Sequence, residues 1–266
     1  MFFSVPIKAN AALRYGMTHC LSGVLPLYIV NEYPRSGGTW LGQMLATGLD
    51  IPFPRNQFPV FRTSVMHGHY LGSWGMKNVV VIWRDGRDVV VSMYHHCLFK
   101  NERRNAPLVD AVRRDLPFKD YEDVRSNLPA FIEYSFTRQR HPHFSWADFV
   151  RRWYGRNGVI YTHYEQLLGN PASELQRIVL GLSGKRLEAE RAVTIAEDLS
   201  FARQAGRLPG EENKRRFMRK GIVGDWRNHF SRDACERFDH YAGNELLLLG
   251  YESDRGWVSE SEKDAE

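Results

Sequence analysis

Cysteine is scarce in this chain, and its scarcity limits the chemistry that the chain can carry. The 266 residues include three cysteines, Cys20, Cys97 and Cys235, which are far apart and form no CxxC pair. Zinc sites and redox dithiols usually require closely spaced pairs, so we expect neither, and no metal site of any kind is predicted. An odd, sparse set of cysteines also fits a reducing compartment, which predicts a cytoplasmic protein.

Long hydrophobic runs are lacking as well. Polar residues interrupt the apolar pieces of the first 30 residues, and no basic segment precedes a clean apolar stretch. We therefore expect neither a transmembrane segment nor a secretory signal. Repeats and low-complexity tracts are also absent from the sequence. The length predicts one domain over residues 1–266, with a core at about 27–250 and a polar tail at 257–266.

The charge balance is modestly basic. Lysine and arginine exceed acidic residues to give a net charge of +5 and an isoelectric point near 9.1, which suits an anionic ligand such as a nucleotide. Nucleic acid is a weaker interpretation, because the basic residues at 100–156 are scattered among acidic ones without an aromatic and basic stripe. We therefore predict an anionic small ligand and no nucleic acid.

Three short apolar runs predict buried parallel strands, because each is rich in β-branched residues and lacks alternation. They are LYIV at 27–30, VVVIW at 79–83 and GVIYT at 158–162. Helical patterns follow the runs, so the sequence predicts an α/β fold with a central parallel sheet flanked by helices. The helical patterns are the face of Leu41, Met44, Leu45 and Leu49, a helix from Val89 through Tyr94 capped by Asp88, and residues 173–182 and 234–249. Residues 100–145 are predicted as helices and loops over the strand ends, and 203–216 as a mobile loop.

A glycine-rich turn leads from the first strand into the first of these helices, with the sequence YPRSGGTWLGQML at 33–45. Gly37 and Gly38 permit a tight turn that presents backbone amides, and the helix begins near Thr39. Arg35 and the hydroxyl groups of Ser36 and Thr39 add donors for a phosphate or sulfate ester. An ordinary glycine turn is the competing interpretation.

Two further segments carry groups suited to anions. Arg84 ends the strand VVVIW, and Ser92 lies one turn inside the following helix, so both are candidates for a second anionic group. A surface ion pair of Arg84 with a nearby aspartate, Asp85 or Asp88, is the alternative. The segment RFMRKGIVGDWRNHF at 216–230 contains the basic turn of Arg219, Lys220 and Gly221, which is either a phosphate site or a solvated loop.

Together these segments resemble the family of sulfotransferases that use 3′-phosphoadenosine 5′-phosphosulfate (PAPS; product PAP), especially the cytosolic type. YPRSGGTW is similar to that family's loop TYPKSGTTW, and RDGRDVVVSMYHH is similar to its RNPKDVAVSYYH. RKGIVGDWRNHF resembles RKGxxGDWKNxF, and VIYTHYEQLLGNP resembles VLYLFYEDMKENP. The resemblance spans roughly residues 27 to 250 and implies the P-loop-like sulfotransferase fold, PAPS as donor, and no metal.

The resemblance also assigns roles to individual residues. The 5′-phosphosulfate would be held by Arg35, Ser36, Gly37, Gly38 and Thr39; the adenine would be contacted by Trp40, Phe201 and Tyr164; and the 3′-phosphate would be held by Arg84, Ser92, Arg219, Lys220 and Gly221.

The catalytic base is predicted in the segment SVMHGHYLG. His69 aligns with the family's catalytic histidine and is the expected base for accepting a hydroxyl proton. His67 falls where the family often has a lysine near the transferring sulfuryl group, and it remains the alternative base. Arg35, which replaces the family's commoner lysine in the loop, is expected to stabilise the departing bridging oxygen.

The acceptor is predicted only as a class: the hydroxyl or amine of a small molecule, a lipid or a saccharide. Its pocket would be lined by loops at 51–68 and 96–145, where Phe53, Phe58 and Phe61 face either the acceptor or the core. The family's dimer motif KxxxTVxxxE is altered at Arg232, which predicts a monomer or weak homodimer.

Two other functions remain open at this point. A P-loop kinase would use VVVIWRD as a Walker B strand with Asp85 on Mg²⁺, but the loop has Thr39 and Trp40 in place of the Walker Lys-Ser or Lys-Thr. A non-catalytic nucleotide- or glycan-binding protein of the same fold is the other alternative.

Overall fold

The computed structural model describes residues 7–55, 57–101, 105–214, 216 and 218–260. The end of the predicted polar tail, residues 261–266, lies outside the described residues. The chain divides into two compact units. The first comprises Met1–Arg84 and Trp153–Gln204, and the second comprises Asp85–Arg152 and Ala205–Glu266.

The described chain contains both helices and strands, as the sequence patterns predict. The strands are β1 Leu27–Glu32, β2 Ser64–Gly68, β3 Val79–Trp83 and β4 Val159–His163. The α-helices are α1 Ile7–Gly16, α2 Gly38–Leu49, α3 Gly86–Leu98, α4 Ala106–Asp115, α5 Val124–Thr137, α6 Trp146–Trp153, α7 Tyr164–Gly169, α8 Pro171–Ser183, α9 Ala189–Asp198, α10 Phe201–Ala205, α11 Arg232–Leu248 and α12 Trp257–Glu260. A π-helical turn covers Met17–Leu21 and a 3₁₀ turn covers Asp225–Asn228. Among the described residues, no helix has the length and apolar character needed to cross a membrane.

All four strands belong to one parallel sheet of the first unit, in the order β2-β1-β3-β4. The predicted α/β fold, with a parallel sheet flanked by helices, is therefore confirmed. β3 is buried along its whole length, whereas β4 at the sheet edge is mostly half-buried. The expectation that both faces of every strand are covered is thus wrong for β4.

One strand, β2, was predicted as part of a loop at 51–68. Its sequence SVMHG lacks the apolar run that marked the other three strands, and it pairs along only one side, with β1. β2 carries His67 within it and leads directly to His69, so the missed strand is the one that positions both candidate bases.

Helix α2 anchors the core of the first unit. Leu41, Met44 and Leu45 are completely buried, and Leu49 packs against the same cluster, which confirms the predicted apolar face. α2 packs against α8 and α9 as well as against β1 and β2. The start of α2 is therefore fixed relative to the ends of these strands.

The second unit is helical, with α3 packed against α4, α5 and α11. The helices predicted at 173–182 and 234–249 are confirmed in α8 of the first unit and α11 of the second, and the helical patches predicted within 100–145 are confirmed in α4 and α5. The predicted cap of α3 is wrong: Asp85 is the N-cap and accepts from the backbone N–H of Arg87 at 2.9 Å. Asp88 instead accepts from the N–H groups of Gly224 and Trp226, at 2.7 and 2.9 Å, which joins α3 to the 3₁₀ turn.

Leu45→Ala should lower the free energy of unfolding by about 2–5 kcal/mol, because it leaves a cavity beneath α2. Urea denaturation followed by circular dichroism measures this change. Thr47→Ala, on the exposed side of the same helix, should change the free energy by less than about 0.5 kcal/mol. Equal effects of the two substitutions would contradict the packing of α2 described above.

Candidate active site

The candidate site of the first unit lies at the carboxyl ends of the four parallel strands, where open α/β sheets bind ligands. β1 leads into the glycine loop, which we define as residues 33–38. His67 lies near the end of β2 and His69 directly follows it. Arg84 follows β3, and Tyr164 follows β4. Side chains that are far apart in sequence are thus brought to one edge of the sheet by its parallel order.

The glycine loop has a backbone that most residues avoid. Gly37 is the N-cap of α2 with φ 99°, and a Cβ atom added there would lie 2.7 Å from Cδ2 of Tyr164. Arg35 also has a positive φ, 75°, which is uncommon for a residue with a side chain and concentrates at functional sites. The loop is therefore a tight turn into the start of α2, in which the N–H of Ser36 donates to the carbonyl oxygen of Tyr33 and that of Gly38 donates to Glu32.

Two polar atoms beside this loop fit a bound nucleotide. The hydroxyl of Ser36 is buried and has no hydrogen-bond partner among the described residues, and neither has the indole N–H of Trp40. Buried polar groups are normally paired, so such atoms indicate a ligand that supplies the missing bonds. Thr39, in the first turn of α2, is half-buried beside them.

Arg84 is tied to the glycine loop. Its Nη1 donates to the carbonyl oxygen of Arg35 at 3.0 Å, and its guanidinium lies 4.5 Å from the ring centroid of Tyr164. Tyr164 is buried and meets the ring of Trp40 edge-on, with centroids 6.1 Å apart. Arg84 therefore contacts both the glycine loop and the ring of Tyr164. Phe201, at the start of α10 in the same unit, is half-buried, and its contact with adenine stays a prediction.

The two candidate bases share one partner, Glu32. Nε2 of His67 lies 2.9 Å from Oε1 of Glu32, and Nδ1 of His69 lies 3.1 Å from the backbone oxygen of Glu32. Oε2 of Glu32 accepts from the backbone N–H of Gly38 at 2.5 Å. Burial would raise the pKa of Glu32, but the hydrogen bond from His67, electrostatic interactions with His67 and His69, and the Gly38 N–H together lower it.

The buried side chain of Asn31 fixes the chain that follows His69. Its Nδ2 donates to the carbonyl of Tyr70 at 3.0 Å, and its Oδ1 accepts from the N–H of Tyr70 at 2.8 Å. The amide thus extends the pairing between β1 and β2 beyond the end of β2. Neither Asn31 nor Glu32 was predicted from the sequence. The available signal for Glu32 was its position, since the motif TYPKSGTTW has a threonine there.

The sequence predicted no metal site, but Glu32, His67 and His69 place one oxygen or nitrogen atom each within 4.8 Å of one another. Both carboxylate oxygens of Glu32 already accept hydrogen bonds from Gly38 and His67. A cation would have to displace those bonds, so the observed arrangement is that of a hydrogen-bonded cluster.

The second unit contains the basic turn of the third motif. Arg219 donates to Glu212 and to Asp225, and Nζ of Lys220 lies 2.5 Å from Oδ1 of Asp225. Arg219 is 9% exposed, so a solvated basic loop is the wrong interpretation for it. Burial would raise the pKa of Asp225, but hydrogen bonds from His229, Lys220 and Arg219 outweigh it and lower that pKa.

The other predicted residues of this unit are placed as follows. Ser92 is buried in the middle of α3, and Gly221 has φ 68°, in the segment that leads to the 3₁₀ turn. The prediction that Arg84 and Ser92 bind one anionic group stays a prediction, and so do the roles of Arg219, Lys220 and Gly221.

Gly37→Ala should cost about 1–3 kcal/mol of unfolding free energy more than Gly184→Ala. Both glycines have a positive φ, but a Cβ at Gly184, the C-cap of α8, meets nothing within 4 Å, whereas one at Gly37 meets Tyr164. Urea denaturation of the two variants provides the comparison. Similar losses would show that the crowding at Gly37 is not as described.

Comparison with known proteins identifies the family. Residues 74–250 match the family described as the sulfotransferase domain, a range that begins after the glycine loop. The chain is 32% identical over 263 residues to sulfotransferase 1A1 of Rattus norvegicus, covering 80% of this chain and 82% of that protein. It is 26% identical over 258 residues to sulfotransferase 1B1 of Mus musculus, covering 79% of each.

Solved structures show the same fold. Mouse sulfotransferase SULT7A1 complexed with PAP is similar with a TM-score of 0.61 and 19% identity, covering 84% of this chain and 87% of that one. Retinol dehydratase in complex with androsterone and PAP is similar with a TM-score of 0.51 and 17% identity, covering 91% and 85%. The chain therefore belongs to the sulfotransferase family, which confirms the reaction class predicted from its motifs.

Proposed function

We propose that this protein transfers the sulfuryl group of PAPS to a hydroxyl or amine of a small-molecule, lipid or saccharide acceptor, with His69 as the base. The observation that carries the assignment of the base is the hydrogen bond between Nδ1 of His69 and the backbone oxygen of Glu32, at 3.1 Å. A carbonyl oxygen can only accept, so Nδ1 carries the proton and Nε2 of the neutral ring keeps its lone pair. Nε2 of His69 can therefore accept the proton of the acceptor's hydroxyl or amine.

The transfer is a direct in-line displacement. Nε2 of His69 accepts the proton of the acceptor as its oxygen or nitrogen forms a bond to sulfur. The bond between sulfur and the bridging oxygen breaks, and its electron pair leaves on the 5′-phosphate of PAP. Positioning and electrostatic stabilisation supply most of the rate enhancement in such transfers.

The glycine loop is suited to the charge that develops on the bridging oxygen. Arg35 brings a guanidinium into the turn, and the helix start at Gly38 adds the positive end of the α2 dipole. The unsatisfied hydroxyl of Ser36 and the side chain of Thr39 are donors for the oxygens of the phosphosulfate. We assign Arg35 the role of following the departing oxygen, in place of the family's lysine.

The nucleotide-binding roles are assigned motif by motif, within each unit. In the first unit, the rings of Trp40 and Tyr164 meet edge-on, and the Arg84 guanidinium lies over the ring of Tyr164. We assign Trp40, Tyr164 and Phe201 to contact with adenine. Arg84 carries the fork geometry that phosphate needs. The assignment of Ser92, Arg219, Lys220 and Gly221 to the 3′-phosphate rests on the motifs alone.

Three phenylalanines follow α2 in the segment that is predicted to line the acceptor pocket. Phe53 is half-buried and packs against the core of the first unit, so we exclude it from acceptor binding. Phe58 and Phe61 are 50% and 58% exposed, which favours an apolar or ring-shaped acceptor over their inclusion in the core.

We further propose that the protein is cytoplasmic and acts as a monomer or weak homodimer. In the altered dimer motif, Arg232 forms an ion pair with Glu236 one turn along α11, with Nε and Oε1 2.9 Å apart. Both side chains are exposed. A charged pair at this position disfavours the apolar contact that the motif provides elsewhere in the family.

His69→Ala should lower the turnover number for sulfuryl transfer by about 10²–10⁴-fold, the usual contribution of a general base. Its affinity for PAP, measured by calorimetry, should stay at the wild-type value because His69 is not among the nucleotide-binding residues. His240→Ala, an exposed histidine on α11, is the matched control and should retain full activity. Wild-type turnover in His69→Ala would refute His69 as the base and leave His67 as the candidate.

Removal of divalent metal ions with a chelator should leave the rate of transfer unchanged, because the proposed displacement uses side chains and backbone amides alone. The measurement is the initial rate with labelled donor before and after chelation. Loss of activity that Mg²⁺ and ATP restore would favour a P-loop kinase. A loss of activity that Zn²⁺ restores would instead identify Glu32, His67 and His69 as a metal site.

A further inference from the structure

Glu32 occupies a central place that the proposed mechanism leaves unused. It is the last residue of β1, and the register pairs Val30 with His67 on the neighbouring strand. Positions 30 and 32 of β1 and positions 67 and 69 along β2 and its continuation share one face of the sheet, because side chains alternate along each strand. Glu32 therefore points to the same side as both histidines, beside the start of α2.

Glu32 holds three groups at once. Its two carboxylate oxygens accept from Gly38 N–H and from Nε2 of His67, and its backbone oxygen accepts from Nδ1 of His69. The packing is tight: a Cβ at Gly38 would lie 2.7 Å from Cδ of Glu32 and 2.9 Å from Nε2 of His67. The carboxylate thus links the glycine loop to His67 with little freedom for either.

The charge of Glu32 requires a compensating cation. It is 4% exposed, and burying an unpaired carboxylate is costly. The ion pair that it forms is with His67, whose side chain is 10% exposed. His69 contacts its backbone, and Arg14 reaches only the carbonyl oxygen of His67, at 3.3 Å. Burial would raise the pKa of Glu32, but the hydrogen bond from His67 and the N–H of Gly38 help to lower it, which agrees with an ionised carboxylate.

Positions 32 and 67 both differ from the family's sequence motifs. The motif TYPKSGTTW has threonine where this chain has Glu32, and the family often has lysine where this chain has His67. A lysine carries its charge at neutral pH without help, whereas a histidine does so only beside a partner that stabilises the imidazolium. The two departures from the family pattern are therefore in direct contact.

We propose that Glu32 is a positioning residue for sulfuryl transfer, which keeps His67 as an imidazolium so that His67 supplies the positive charge that a lysine supplies in relatives. This inference rests on the proposed function for its catalytic consequence, but not for the charge state of His67. Glu32 acts through His67 and makes no contact with the substrate.

The kinetic test compares Glu32→Gln, Glu32→Thr, His67→Lys and the double variant Glu32→Thr/His67→Lys, with labelled PAPS as donor. Glu32→Gln preserves shape but removes the charge, so kcat should fall by at least about tenfold while KM for PAPS changes less than about threefold. The double variant, which restores both family residues, should recover most of the activity that Glu32→Thr loses. PAP binding and melting temperature, measured for each variant, separate this result from a loss of folding.

A second measurement does not depend on turnover. The ¹⁵N shifts of the His67 ring at neutral pH should show an imidazolium in the wild type and a neutral ring in Glu32→Gln, with exposed His240 unchanged in both. A neutral His67 in the wild type would overturn the proposal, and so would a wild-type kcat in Glu32→Gln or a double variant no better than Glu32→Thr. An inactive wild type with a charged His67 would refute the proposed function alone.

Discussion

The close approach of backbone to side chain at Gly37 and Gly38 is the constraint on which the rest of the site depends. A Cβ at either residue would collide, with Tyr164 at the first and with Glu32 and His67 at the second. Those contacts join the ends of β1, β2 and β4 to the start of α2. The helix is held in turn by the buried face of Leu41, Met44 and Leu45, so the core of the first unit fixes the position of the candidate site residues.

Much of this arrangement follows from the sequence because the relevant signals are local. The strand VVVIW and the apolar face of α2 are continuous patterns that periodicity detects, and the glycine pair marks the turn between them. β2 carried a weaker signal, since its sequence SVMHG has no unbroken apolar run. The cap of α3 was misassigned because Asp85 and Asp88 are chemically equivalent candidates, and only the packing of the 3₁₀ turn decides which one faces a helix end.

The site residues divide in the same way. Those in contiguous motifs could be named from the sequence by resemblance, residue by residue. Asn31 and Glu32 could not, because their importance comes from pairing between strands that are distant in sequence. The departures from the family motifs are informative once the structure is known. Arg35 and His67 stand where the family motifs have lysine, and Glu32 lies beside His67.

An acceptor screen with ³⁵S-labelled PAPS is the most direct test of whether this protein transfers a sulfuryl group. Phenols, steroids, lipid hydroxyls, saccharides and amines would be incubated with the wild-type protein in the absence of added metal. We predict label on at least one acceptor, with one PAP released for each sulfate transferred. Tight binding of PAP with no labelled product across the whole panel would contradict it and identify a nucleotide-binding protein that retains only the fold.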